Sequence, residues 1–266
     1  MSESVARFTG SIAAAYDHYL GPVLFEPFAT VVAERATDVA PRRVLEIACG
    51  TGRVTHHLRR ALPDTTAIVA TDLNEPMLDV ARERVTGPVT WLAADALALP
   101  FDDGEFDLVV CQFGMMFFPD RVAAYREMQR VLEPGGSTLV TVWGSIDENP
   151  HARDVADAVV ATAPGAERFL DTPYGYHDRS LLVADAVAGG LVDVAIEELA
   201  RPLEAPSAAW LATGFTTGSP LANLLAENGA APELVHAEVR RRIAHSHGDE
   251  PARGPLRAIL VRGTSG

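Results

Sequence analysis

The stretch from Arg43 to Leu62 constrains this chain more than any other. Residues 43–48 are a short apolar run that ends at Cys49-Gly50-Thr51-Gly52. After it Val54, Leu58, Ala61 and Leu62 recur at helical spacing up to Pro63. An apolar run, a glycine turn and an amphipathic segment read as strand, tight turn and helix. The alternation then repeats. Residues 67–71 form a strand closing at Asp72, and Asn74 is placed to cap a helix carrying Pro76, Met77, Leu78 and Ala81. Strands follow at 89–93, ending near Asp95, and at 106–111; a helix over 123–132 stops at Pro134-Gly135-Gly136 before a strand at 137–143. Strands joined through helices run parallel by right-handed crossovers, so the expected class is α/β with a doubly wound, mostly parallel sheet. Ligands of such sheets sit beyond the carboxyl ends of the strands. Glu46, Gly50, Asp72, Asp95 and Cys111 therefore rim one crevice.

Less regular sequence flanks this core. Residues 1–40 read as a helical N-terminal lid containing the breaker Gly21-Pro22, and 41–145 as the core. Residues 146–254 read as a helical cap with one strand at 191–199, and 255–263 as a closing strand. With no repeat or linker between them, all 266 residues are read as a single domain.

Composition removes several kinds of chemistry. The 22 basic residues are all arginine, so Schiff-base catalysis and a phosphate-loop lysine are excluded. A net charge of −14 argues against tracking nucleic acid or an anionic membrane. Two cysteines supply neither a disulfide framework nor a zinc set. The start lacks a basic leader followed by an apolar run, and no apolar stretch is long enough to span a bilayer, so a cytoplasmic protein is expected.

Glu46-Ile-Ala-Cys-Gly-Thr-Gly-Arg53 is the strongest chemical signal. Its glycines let a ligand approach the backbone, and Asp72, at the end of the second strand, can accept both hydroxyls of a ribose. A nicotinamide or flavin fingerprint would need a third glycine where Thr55 stands.

The phrases VLEIACGTGRVT, ATDLNEPMLDVAR, LAADALALPFDDGEFDLVVCQFGMMFFPD and EMQRVLEPGGSTLVTVW resemble the class I S-adenosylmethionine-dependent methyltransferases. Within them the chain looks most like the branch of ubiquinone/menaquinone-biosynthesis C-methyltransferases and small-molecule methyltransferases of specialised metabolism. The likeness covers residues 12–145 well and the rest loosely. It implies a seven-stranded Rossmann-like sheet and S-adenosyl-L-methionine as methyl donor. It places Glu46, Ala48, Gly50 and Gly52 around the methionine part, Asp72 on the ribose, and Leu73 and Met77 beside the adenine. Asp95 and Ala96 would meet the adenine amino edge, and Gln112 and Phe113 would lie near the reaction centre. Tyr16 and Tyr19 fall in the segment that closes over the cofactor in this group. Ala48 departs from the glycine many relatives carry.

Such an enzyme moves a methyl group by in-line displacement to O, C or N of a small acceptor. A base is needed only when that acceptor must lose a proton. His18 and His151 are the candidate catalytic bases, and no histidine forms a metal set with neighbouring carboxylates. Cys111-Gln112 lacks the proline that precedes the nucleophile of DNA cytosine-5 methyltransferases, so Cys111 reads as a buried strand-end thiol. Phe169, Tyr174, Tyr176, Trp210 and Phe215 hint at an apolar or aromatic acceptor, and a homodimer is compatible with the reading. Two alternatives stay open: a non-methylating enzyme that uses the same cofactor, and a catalytically silent scaffold.

Overall fold

The computed structural model describes residues 11–266; residues 1–10 of the expected lid lie outside the described residues. The strands are β1 (Arg43–Ile47), β2 (Ala67–Asp72), β3 (Thr90–Ala93), β4 (Phe106–Gln112), β5 (Leu132–Trp143), β6 (Leu191–Ala205) and β7 (Ala252–Ser265). They form one seven-stranded sheet in the order β3-β2-β1-β4-β5-β7-β6. β1 to β5 pair in parallel, and β7 runs antiparallel to β5. The strand order reverses between β1 and β4, which is the switch point of a doubly wound sheet. The central strands are apolar on both faces because helices cover both. Val44, Leu45 and Ile47 of β1, and Leu108, Val109 and Val110 of β4, are fully buried or nearly so.

Contacts gather the chain into two compact units. The sheet unit comprises Phe28–Trp143, Tyr176–Leu199 and Ala258–Gly266. It holds most of α2 (Glu26–Val39), together with α3 (Arg53–Ala61), α4 (Glu75–Arg84), α5 (Arg121–Val131) and α8 (Arg179–Ala188). The helical unit comprises residues 11–27, Gly144–Gly175 and Ala200–Arg257. It holds α1 (Ser11–Ala15), α6 (Pro150–Thr162), α7 (Asp171–Tyr174), α9 (Ala208–Thr217), α10 (Leu221–Glu227) and α11 (Pro232–His247), and α11 packs on α6 and α9. Among the described residues no helix is long and apolar enough to cross a membrane.

Several boundaries differ from the sequence expectation for identifiable reasons. Gly21-Pro22 does not break the N-terminal helix: Tyr16–Phe25 is π-helical, with the Glu26 N–H on the Gly21 carbonyl, and this wider turn accommodates Pro22. Pro134-Gly135-Gly136 does not end the preceding element in a loop. β5 runs through it, and the β4–β5 register shifts between Phe106 and Leu108 to absorb the irregularity. Asn74 precedes α4 without a side-chain cap, because its amide donates to Asp72 instead.

Candidate active site

Glu46 is the penultimate residue of β1 and is buried, with its Oε2 accepting a 2.6 Å hydrogen bond from the Thr55 hydroxyl of α3. Burial, reinforced by the charge of Asp72, pushes the Glu46 carboxyl up to about 8 against the opposing Thr55 bond. Thr55 thus fills the position where a dinucleotide fold would have glycine, and it holds the acid instead. Sequence reasoning misses that link, since a spacing of nine residues across a turn gives no periodic signal.

The turn after β1 is built on left-handed backbone. Ala48 has φ +54°, Gly50 +55° and Gly52 +74°. Such a conformation costs an L residue about 1–2 kcal/mol, and Ala48 bears that strain where glycine would not. The two glycines of the turn serve different purposes. A Cβ on Gly52 would lie 2.9 Å from the Ala81 Cβ and 3.1 Å from its Cα, so Gly52 permits α3 to approach α4. A Cβ on Gly50 would meet no atom within 4 Å, so Gly50 faces open space. The Arg84 guanidinium steadies the turn by donating to the Thr51 carbonyl at 2.9 Å.

Asp72 ends β2 and is nearly buried. Its Oδ2 accepts from the Gly50 N–H at 2.9 Å, and its Oδ1 accepts from the Asn74 backbone at 2.8 Å and side-chain amide at 3.2 Å. Burial raises the carboxyl, while these donors pull it back down. Beside it Leu73 is 66% exposed, an unusual position for a large apolar side chain, whereas Met77 is buried on α4. Asp95 is exposed and closes a local turn by accepting from the Leu97 N–H at 2.9 Å; Ala96 is buried.

β4 ends at Gln112, and Phe113 follows with φ +56°. Its ring stacks on Trp143, with centroids 4.0 Å apart and planes 14° apart, and meets Phe28 edge-on at 5.5 Å. Trp143 and Phe28 carry no signal in the sequence, since nothing local links residues so far apart. Cys111 is buried, which pushes its thiol up to about 12 and matches the reading of an inert strand-end cysteine. Met115 and Met116 are fully buried, which makes the apolar turn after β4 a packing element.

Tyr16, His18, Tyr19 and His151 belong to the helical unit. His18 is exposed and lies 4.7 Å from the Tyr19 ring and 4.9 Å from Trp210, whose Nε1 donates to the Tyr19 carbonyl at 2.9 Å. The Tyr16 ring packs on Phe25 at 4.8 Å. His151 is completely buried on α6, with Nε2 3.4 Å from the Tyr174 hydroxyl and no partner for Nδ1. Burial lowers its ring to about 3, so it stays neutral and is a poor proton acceptor at neutral pH. The expected acceptor-facing aromatics Phe169, Tyr174, Tyr176 and Phe215 are buried in packing, and only Trp210 is partly exposed.

Two buried carboxyl groups whose ionised forms are penalised thus stand beside a backbone turn with open space at Gly50, next to an exposed Leu73. Residues 44–136 match the family described as a methyltransferase domain. Over 147 residues the chain is 38% identical to the ubiquinone/menaquinone biosynthesis C-methyltransferase UbiE of Pseudomonas fluorescens, covering 52% of this chain and 57% of that protein. Over 108 residues it is 43% identical to a demethylmenaquinone methyltransferase of Thermus thermophilus, covering 40% of this chain and 49% of that one. The chain thus spans about half the length of these curated relatives. Among solved structures, Haemonchus contortus phosphoethanolamine N-methyltransferase 2, in complex with phosphomonomethylethanolamine and S-adenosylhomocysteine, aligns at TM-score 0.59 and 17% identity. That alignment covers 95% of this chain and 56% of that one, and the likeness is one of fold.

Proposed function

We propose, because residues 44–136 match a methyltransferase domain, that this chain is a class I S-adenosylmethionine-dependent methyltransferase, which transfers a methyl group from S-adenosyl-L-methionine to O, C or N of a small apolar or aromatic metabolite. As one domain the chain carries out that activity in the cytoplasm, within specialised metabolism, and assembles as a homodimer. The observation that carries the reading is the buried Asp72 carboxylate tied to the N–H of the open Gly50 turn.

The cofactor supplies an electrophilic methyl group on a sulfonium. Asp72 would hold the ribose hydroxyls, with Leu73, Met77, Asp95 and Ala96 around the adenine. Glu46, Ala48, Gly50, Gly52, Gln112 and Phe113 would surround the methionine part. Carboxylates suit a cationic ligand, and the turn needs no phosphate-binding lysine, in keeping with a chain that has none. Positioning supplies several kcal/mol of the barrier reduction in a displacement of this type. For an acceptor that must lose a proton, His18 is the stronger candidate base, because His151 is buried and neutral. Tyr16 and Tyr19 contribute to cofactor retention. Equilibrium dialysis with methyl-labelled S-adenosylmethionine tests the reading: saturable retention at one equivalent is expected, and no retention would overturn it.

A further inference from the structure

We propose that Trp143 is a positioning residue for methyl transfer: by clamping the Phe113 ring it keeps the exit of β4 in its left-handed turn and holds Phe113 in place at the switch point where the cofactor binds. This rests on the function proposed above.

Phenylalanine favours extended backbone, which at position 113 would carry the chain straight on past Gln112. Instead φ is +56°, and particular contacts hold it there. The Phe113 N–H donates to the Thr141 carbonyl of β5 at 2.8 Å, and the ring lies flat on Trp143 at 4.0 Å. Trp143 is itself fixed, since it pairs with Ala258 of β7 and meets Phe28 edge-on at 5.6 Å. The following residue leaves no slack: a Cβ on Gly114 would come within 2.6 Å of the Ala48 Cβ and 2.8 Å of the Cys111 sulfur.

Ala48 does the same at the end of β1. It also is left-handed, and the next N–H, that of Cys49, donates to the Thr71 carbonyl of β2 at 2.9 Å. β1 and β4 are neighbours at the point where the strand order reverses, and their exits hydrogen-bond outward, one to β2 and the other to β5. Ligands of a doubly wound sheet bind beyond the strand ends at that switch point. Glycine would take this turn without help, whereas phenylalanine persists in it only when its surroundings over-determine it.

The test measures calorimetric Kd for S-adenosylhomocysteine alongside melting temperature. Trp143→Ala is expected to weaken binding about tenfold or more, while Trp143→Phe, which can still stack, stays within about threefold of wild type. Leu108→Ala, a core truncation in β4, should lower the melting temperature without moving Kd. Should Trp143→Ala fail to fold, Trp143→Leu carries the same expectation. The proposal is overturned by an unchanged Kd in Trp143→Ala or by an equal loss of affinity in Leu108→Ala. Failure of the wild-type protein to bind would instead overturn the proposed function.

Discussion

The Asp72 carboxylate accepts the Gly50 N–H at 2.9 Å, so the side chain that closes β2 also shapes the turn after β1. A ligand-binding acid that doubles as a backbone tether cannot be removed without consequence for both. Asp72→Ala should weaken S-adenosylhomocysteine binding at least tenfold. It should also lower stability by about 1.5–3 kcal/mol, the scale of hydrogen bonds to a charged group. Asp72→Asn, which keeps one acceptor, should lose less stability; calorimetry and thermal melts separate the two effects.

Gly50 and Gly52 should respond differently to the same substitution. Gly52→Ala drives a methyl group into Ala81 on top of left-handed strain, and a stability loss of about 2 kcal/mol or more is expected. Gly50→Ala meets no neighbour, so it should cost only about 1 kcal/mol of backbone strain while sharply reducing cofactor affinity. Denaturant titration paired with Kd for each variant checks the contrast.

Glu46 gives the free enzyme a pH signature. Its folded value, about 8, lies above the ordinary carboxylate value of 4.5, so the folded state retains a proton that the unfolded chain releases. Its contribution is complete below pH 4.5 and falls as pH rises toward 8, with a slope of up to about 1.4 kcal/mol per pH unit. Glu46→Gln, which can still accept from Thr55, should flatten the stability profile in that window relative to wild type; parallel profiles would refute the assignment.

His151 gives the opposite sign. Burial holds its folded value at about 3, below the ordinary 6.5, so the neutral ring contributes stability above pH 6.5 that is lost as pH falls toward 3. His151→Gln should remove that acid-side loss from melting curves recorded between about pH 4 and 7. It should leave the pH dependence of turnover unchanged, whereas a shifted rate profile would show that His151 handles a proton.

Arg59 should prove indispensable to the sheet unit. Its buried guanidinium donates to the carbonyls of Leu62, Pro63 and Thr66 past the end of α3. Arg59→Lys keeps the charge but not the planar fork, and a loss of about 2–3 kcal/mol is expected in thermal melts.

The β1–β5 alternation and the acids at its strand ends were legible in the sequence because both follow from local rules. Buried parallel strands are contiguous apolar runs, and a chain must turn where Glu46-to-Gly52 and Asp72 stand. What escaped was set by distant partners. Pro134-Gly135-Gly136 is passed over by the ladder, which jumps from Leu132 to Ser137 on β5, and Gly21-Pro22 is a breaker that a π-helical turn absorbs. Asn74 looks like a helix cap, yet its side chain turns to Asp72, donating its amide there, and its oxygen caps no helix N–H. The left-handed backbone of Ala48 and Phe113 has no residue-type signature, because neither is glycine or asparagine. His151 reads as a candidate base because it follows the fifth strand, and only the packing of α6 shows that it is buried.

The central claim is that Asp72 and the Gly50 turn form a binding site for the adenosyl cofactor. Calorimetric titration of wild type and Asp72→Ala with S-adenosylhomocysteine tests it most directly. One equivalent bound by wild type, with at least tenfold weaker binding by a folded Asp72→Ala, is the predicted result. Equal affinity in the two proteins, or no heat of binding in either, would contradict it.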